Sequence, residues 1–405
     1  MIRVAFVAGT YQPQYCGVAH YTAHLRQALR ERGIESVVLT TYAAADTAND
    51  STVHAAVNRW HITQLIALVR AIHQTQANCL HIQHAAGTYG FDRAVFLLPL
   101  LLKLSGWRLP IITTVHEYGW WEWQPTQVPP KLLEWLKTWG QEHGWWDRED
   151  GFLLTHSDAI ITTNSEAEQV IYQRLPHLKP LVHRIPIAAN VETASVDRES
   201  ARTIIQQTYG WSTQNKIIAF FSFLHPVKGV ETLLSAFKQV VTVHPEARLL
   251  LMGGVESLAL PAEQASRYWQ QLQSQIAELD LTDVVHMTGY LPAAQVSLHL
   301  TAADLGVLPF NAGVTLKSGS LLAMMAHGLP IVATCSNPPD PDLTTETLLK
   351  LTSPRNPVAL AAALIELLAN PDQQRQFSQA AFYYSQQFTW SNIAAAHFRI
   401  YETIC

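Results

Sequence analysis

Short apolar runs alternate with longer amphipathic stretches along the whole chain. In the first half the runs predict strands at Val4–Val7, Ser36–Leu39, Leu80–Gln83, Ile111–Val115 and Ala159–Thr162. Between them, apolar positions at helical spacing predict helices over Ala19–Arg32, Ile62–His73 and Arg93–Leu104. The second half repeats the alternation, with strands predicted at Ile217–Phe221, Arg248–Met252, Val284–Met287, Leu305–Leu308 and Ile331–Ala333. Continuous apolar strands alternating with helices imply parallel sheets covered on both faces, an α/β fold. The alternation weakens between Pro186 and Asn215, where a polar, charged stretch reads as the join between two Rossmann-like domains. A last helical pattern, Phe388–Ile404, closes the chain through Trp390, Ile393, Phe398 and Tyr401.

Parallel sheets bind ligands in the loops beyond the carboxyl ends of their strands. Two such loops suit an anion. In Phe221–Phe237 a strand ends, Pro226, Lys228 and Gly229 form a turn, and a helix begins with Val230, Leu233, Leu234 and Phe237 on one face. Backbone N–H groups and the helix dipole favour negative charge at such a place. A second turn, Lys317-Ser318-Gly319-Ser320, opens the helical run Leu321–His327. Two anion-suited turns in one half of the chain point to a diphosphate. Lys317 is a poor choice for a helix start by itself, since the positive dipole end repels a cation, and an anionic ligand removes that conflict. After the first strand, residues 8–17 contain no G-x-G-x-x-G, which argues against a dinucleotide-dependent dehydrogenase.

Composition narrows the class further. At 405 residues two domains are expected, and 48% apolar with 15% charged residues describes a globular protein with large buried sheets. A net charge of −5 disfavours nucleic acid as a partner. The four cysteines, Cys16, Cys79, Cys335 and Cys405, lack metal-ligand spacing and read as free thiols of a reducing compartment. Met1–Val7 reads as a strand, not an export core, and the longest greasy segment, Ala94–Leu102, is far short of the ~20 residues that span a bilayer. The expectation is a cytoplasmic protein with at most peripheral contact with the inner face of a membrane.

In order and spacing the motifs resemble glycosyltransferase family 4, the retaining GT-B enzymes that use sugar nucleotides. The resemblance is carried by Gly17, Thr113-Thr114-Val115-His116, Pro226-Val227-Lys228-Gly229, Leu251-Met252-Gly253-Gly254, Thr288-Gly289-Tyr290-Leu291, Ala302-Ala303-Asp304, Leu308-Pro309-Phe310 and the block Ser320–Ala333. It implies two Rossmann-like domains facing a central cleft: an acceptor domain over 1–187, a donor-nucleotide domain over 188–387, and a helix over 388–405 returning to the first domain. It implies catalytic roles for His116 and Lys228, with Lys228 meeting the donor diphosphate. Donor contacts fall on Gly17, Gly254, Gly289, Tyr290, Ser318, Gly319 and Ser320, and Lys317 is placed with them by the helix-start argument. This chain departs from the family at Phe223, where an arginine is frequent, and at Thr315 and Ala323, where two glutamates usually stand.

Seven of the 12 tryptophans crowd between residues 120 and 146. Trp135 and Trp139 lie on an amphipathic helix and are expected to pack it onto the domain. Trp120, Trp121 and Trp123 follow His116 directly and are expected, with Glu117, to line the acceptor site, since flat aromatic faces suit sugar C–H faces. The whole predicts a retaining hexosyltransferase acting from a nucleotide diphosphate sugar onto a hydroxyl of a saccharide or glycolipid. Attack on the face of departure, with the leaving phosphate taking the acceptor proton, needs no carboxylate nucleophile, no cofactor and no required metal. A catalytically inactive sugar-nucleotide binder and a sugar-nucleotide epimerase on the same fold are the alternatives.

Overall fold

The computed structural model describes residues 2–14, 16–193, 195–255, 261–343 and 348–405. The chain forms two compact units, unit 1 comprising Met1–Ile187 and Trp390–Cys405, and unit 2 comprising Ala188–Thr389.

Unit 1 is built on seven strands: β1 (Arg3–Ala8), β2 (Glu35–Thr41), β3 (Val53–Val57), β4 (Cys79–His84), β5 (Ile111–Val115), β6 (Ala159–Thr162) and β7 (Val182–Arg184). They lie parallel in the order β3-β2-β1-β4-β5-β6-β7. Unit 2 has β8 (Lys216–Phe221), β9 (Ala247–Met252), β10 (Val285–Gly289), β11 (Leu305–Leu308), β12 (Ile331–Thr334) and β13 (Lys350–Thr352). These are also parallel, in the order β10-β9-β8-β11-β12-β13. Most residues of the central strands are buried on both faces, as expected of sheets sandwiched between helices.

Every strand read from an apolar run is present. The three not predicted, β3, β7 and β13, are edge strands, where one side lacks a neighbour and the apolar run shortens. The stretch read as a polar join contains a helix, Arg198–Tyr209. Asp197 caps it by accepting from the Ser200 N–H, Gly210 ends it in the left-handed conformation, and Ala201 and Ile205 bury its one apolar stripe. Arg93–Leu104 is a 3₁₀ turn, Ala94–Leu97, followed by a short helix, Leu98–Leu104.

The amphipathic helix in the tryptophan-rich segment is Pro130–Glu142, and it turns Leu133, Lys137 and Gly140 inward. Trp135 does not pack it onto the domain as expected: its ring is 58% exposed and stacks on Trp139. The inward contact is made by Trp146, whose indole fills the space a side chain at Gly140 would need.

The last helix, Trp390–Ile404, joins unit 1. It brings buried polar groups with it. The Tyr401 hydroxyl lies 2.6 Å from His81 Nδ1, and His397 Nε2 lies 3.3 Å from the Tyr21 hydroxyl.

Candidate functional site

Each sheet has one position where strand order reverses, and there the two flanking loops diverge and leave room for a ligand. In unit 2 that position lies between β8 and β11, so the loop after β8 (222–229) faces the loop after β11 (309–318). Backbone and side-chain bonds stitch them together: Asn311 N–H donates to the Val227 carbonyl at 3.0 Å, and Asn311 Nδ2 to the Pro226 carbonyl at 2.8 Å. Gly229 makes the close approach possible. It has φ +67°, and a Cβ there would stand 2.1 Å from the Pro309 carbonyl oxygen. Gly229→Ala is therefore expected to cost about 2–4 kcal/mol, seen as a melting temperature lower by roughly 5–10 °C. An unchanged melting temperature would refute the close approach.

Lys228, half-buried, emerges from this junction at the end of the 3₁₀ turn Pro226–Lys228 and one residue before the cap of the helix Val230–Val243. Its ammonium lies 3.9 Å from the centroid of the Phe310 ring. Burial, and then the neighbouring charge of Lys317, push its pKa down to about 8. Burial and a second cation thus both disfavour the charged ammonium, and a bound polyanion would favour it. Lys317 itself is exposed, just before the helix Gly319–Ala326. The Ser318 hydroxyl caps that helix by accepting from the Leu321 N–H at 3.3 Å. Asn190, which sequence reasoning did not single out, sets its Nδ2 3.6 Å from where a Gly319 Cβ would be.

Gly254 is buried and accepts from the Leu224 N–H at 2.9 Å, which holds the β8 loop against the end of β9. Gly289 ends β10, and Tyr290 follows with its ring exposed. Of the three departures from the family pattern, Ala323 is completely buried and Phe223 is half-buried. The Thr315 carbonyl accepts from the Ser318 N–H at 3.0 Å.

In unit 1 the strand order reverses between β1 and β4. Gly17 is the first residue of the helix Gly17–Arg30, exposed, and a Cβ there would meet nothing within 4 Å. The unit itself does not demand glycine at this position. His116 directly follows β5, with its N–H donating to the His84 carbonyl at 3.0 Å. Its Nε2 lies 2.9 Å from Gln83 Oε1, and its ring meets the Tyr21 ring edge-on at 4.8 Å. Burial, then His84 and His397, hold its pKa down to about 3. His116 is therefore a neutral imidazole at physiological pH, able to give or take a hydrogen bond but not to carry charge. Gln83 was read only as the end of a strand. It is fully buried, and its Nε2 finds no partner among the described residues, so its amide is a fixed support for His116.

The loop after His116 is held from behind. Glu149 Oε2 accepts from the Gly119 N–H at 2.8 Å and from Arg174 Nη1 at 3.0 Å. Arg93 donates to the carbonyls of Trp121, Glu122 and Glu149 and lies 3.7 Å from the centroid of the Trp121 ring. Trp120 and Trp123 are exposed, Trp121 is half-buried, and Glu117 is exposed. Phe91 joins these rings with φ +58°, a conformation that costs a bulky residue about 1–3 kcal/mol. Nothing in the sequence marks it, because backbone strain leaves no signature in residue type. Among the described residues, no group of three or more His, Cys, Asp or Glu is arranged to hold a metal ion, and no helix is long and apolar enough to cross a membrane.

Residues 215–370 match the family described as Glycosyl transferases group 1. D-inositol 3-phosphate glycosyltransferase of Thermobispora bispora is 22% identical over 405 residues, 95% of this chain and 89% of that protein. Mannosylfructose-phosphate synthase of Agrobacterium fabrum is 26% identical over 234 residues, 56% of this chain and 48% of that protein. Among solved structures, sucrose-phosphate synthase from Thermosynechococcus elongatus aligns with a TM-score of 0.73 at 17% identity, covering 100% of this chain and 99% of that one. Anabaena HepE in complex with UDP and glucose aligns with a TM-score of 0.69 at 15% identity, covering 100% and 99%.

Two parallel-sheet Rossmann-like units of seven and six strands, matching these structures over their length, define the GT-B fold. Unit 2 carries a glycosyl transferase group 1 domain over residues 215–370, and the chain resembles glycosyltransferase family 4.

Proposed function

We propose that the protein is a retaining hexosyltransferase that uses a nucleotide diphosphate sugar. The observation that carries this is the Lys228 ammonium, held beside Lys317 and over Phe310 at the switch point of unit 2. A diphosphate would favour the charged form of the Lys228 ammonium, and the first turns of the helices Val230–Val243 and Gly319–Ala326 supply N–H donors. Support for a sugar nucleotide comes from Anabaena HepE, whose complexes contain UDP and UDP-glucose. We assign the donor to unit 2, with Gly254, Gly289, Tyr290, Ser318, Gly319 and Ser320 as contacts. Glu117, Trp120, Trp121 and Trp123 serve the acceptor, a saccharide or glycolipid.

In the reaction the bond from the sugar's anomeric carbon to the diphosphate oxygen breaks, and a bond to an acceptor hydroxyl oxygen forms on the same face. The acceptor proton passes to the leaving phosphate. Lys228 stabilises the charge that grows on the diphosphate. His116, neutral, gives its one N–H from Nε2 to Gln83 Oε1, which leaves Nδ1 to accept a hydrogen bond from the acceptor. No protein carboxylate is required as nucleophile, so Thr315 and Ala323 are compatible with catalysis.

A panel of nucleotide sugars read by thermal shift tests the donor assignment, since a bound ligand raises the melting temperature with its saturation. Incubation of the stabilising donor with acceptor then reads transfer and the anomeric outcome by NMR. A panel without any shift, or an inverted product, would overturn the reading. Lys317 carries a separate expectation. Lys317→Met is expected to weaken nucleoside diphosphate binding several-fold at low salt and to flatten its salt dependence, because one of two screened charges is gone. Titration at two salt concentrations checks this. Unchanged affinity and salt dependence would remove Lys317 from the site.

A further inference from the structure

We infer that the acceptor is an uncharged oligosaccharide, seated on the aromatic platform formed by Phe91, Trp120, Trp121 and Trp123. The inference rests on the assignment of unit 1 to the acceptor and goes on to name the acceptor's chemistry.

The platform is assembled from two places in the sequence. Trp120 and Trp121 stack with centroids 6.4 Å apart and 29° between planes. The Phe91 ring stands edge-on to both, at 6.3 and 5.7 Å. Large rings are normally driven inward by the hydrophobic effect. Here Phe91 is 53% exposed, Trp120 56% and Trp123 43%. Phe91 is also in the left-handed region, so neither burial nor backbone preference accounts for a phenylalanine there. Beside the rings lies a recess of about 390 Å³, lined by Arg93, Trp121, Glu122, Trp123, Gln124 and Pro125. Its floor is fixed by Arg93, packed on one face of Trp121 and donating to the carbonyls of Trp121 and Glu122. Rings held in this way lose little freedom when a ligand covers them.

Charge selects the occupant. The cations around the recess are turned to protein partners. Lys137, Arg148 and Arg174 pair with Glu122 at 3.3, 3.0 and 3.5 Å. The Arg93 donors named above point to main-chain carbonyls. An acceptor phosphate or an anionic lipid surface would find these cations already paired with Glu122. A neutral sugar ring offers C–H groups to the negative faces of the indoles and hydroxyls to Gln124 and Glu122. The chain in this respect departs from its D-inositol 3-phosphate glycosyltransferase relatives, whose named acceptor is phosphorylated. Continuity with His116 gives the length. Trp120 is four residues further on, so the two Cα atoms lie within about 14 Å. Within that reach an acceptor of two or more sugar units can put one hydroxyl at His116 and rest a ring on Trp120.

The test is a tryptophan-fluorescence and calorimetric titration of the full chain with cellotetraose, maltotetraose and chitotetraose, beside inositol 3-phosphate and phosphatidylglycerol vesicles. At least one tetrasaccharide is expected to bind, about tenfold tighter than its monosaccharide, with no change between 50 and 500 mM salt as roughly chosen extremes of screening. Phe91→Ala and Trp120→Ala are each expected to weaken that binding about tenfold, as loss of an aromatic contact does. Phe91→Gly relieves the left-handed strain while removing the ring, so it separates loss of the platform from loss of folding. No response to any tetrasaccharide, a preference for inositol 3-phosphate, or vesicle binding that Phe91→Gly abolishes would overturn the inference. The readout needs no donor. Saccharide binding in a protein that binds no nucleotide sugar would leave this inference standing and the hexosyltransferase reading fallen.

Discussion

Lys228→Ala should cost on the order of 3 kcal/mol in the barrier to transfer, a loss of at least a hundredfold in kcat, while the melting temperature holds or rises. The two halves of this expectation share one cause. The ammonium is half-buried, depressed to about 8 by burial and by Lys317, so it is a charge the folded protein carries at a disadvantage. Removing it relieves the protein and deprives the leaving diphosphate. The same shift sets a pH dependence. Below about pH 8 Lys228 is charged and nucleoside diphosphate affinity should be flat. Above it, each pH unit should weaken binding up to tenfold until the ordinary lysine range is reached, because the ligand must then bring a proton onto the amine. Calorimetry in buffers of different ionisation enthalpy reads that proton directly. Near-normal turnover of Lys228→Ala at saturating donor, or binding indifferent to pH from 7 to 10, sinks the assignment.

Acid should unfold unit 1. His84 and His397 are buried and His116 half-buried, all three neutral, with pKa values lowered to about 4 for His84 and His397 and about 3 for His116, and His81 is lowered as well. In the unfolded chain each titrates near about 6.5. The unfolded state therefore binds more protons as pH falls, so stability is fully present above about pH 6.5 and is lost from there down to about pH 4. Each of the three valued histidines loses on the order of 3 kcal/mol across that window, together comparable with the whole stability of a domain. The buried carboxyls of Glu149 and Asp150 act in the opposite sense, because burial raises their pKa, but they are fewer. Tryptophan fluorescence isolates the event, since all but Trp211 and Trp269 of the 12 tryptophans lie in unit 1. His397→Gln should shift the midpoint to lower pH by removing one of the protons. A midpoint independent of pH between 7 and 4.5 would show that these rings are not neutral and buried together.

The alternation of apolar runs and helical stripes was enough to read the central strands, because a strand buried on two faces is apolar along its interior, as Val4–Ala8, Ile217–Phe221 and Ile331–Ala333 are. It also placed the turns at Gly229 and Ser318, since a left-handed residue and a side-chain cap answer local backbone needs. Edge strands such as β7 escaped because an edge needs few apolar residues, and the helix Arg198–Tyr209 escaped because it buries one narrow stripe. The placement of Trp135 was misread for a related reason. Spacing identifies an amphipathic face but does not say which large rings meet a partner, and here Trp146 had already taken the inward position.

What the sequence determined by itself was thus the α/β class, the division into two units and the residue types at the ends of strands. Tertiary structure alone decided which of those ends meet. Lys228 gains a lowered pKa only when Phe310 and Lys317 arrive from the loop after β11, some eighty residues away. His116 becomes a neutral, oriented ring only through Gln83, Tyr21 and the buried histidines of β4 and the final helix. Phe91 reaches the tryptophans only through a left-handed backbone. Burial, charge proximity and backbone strain depend on what folding places next to a residue, and no local pattern of residues carries them.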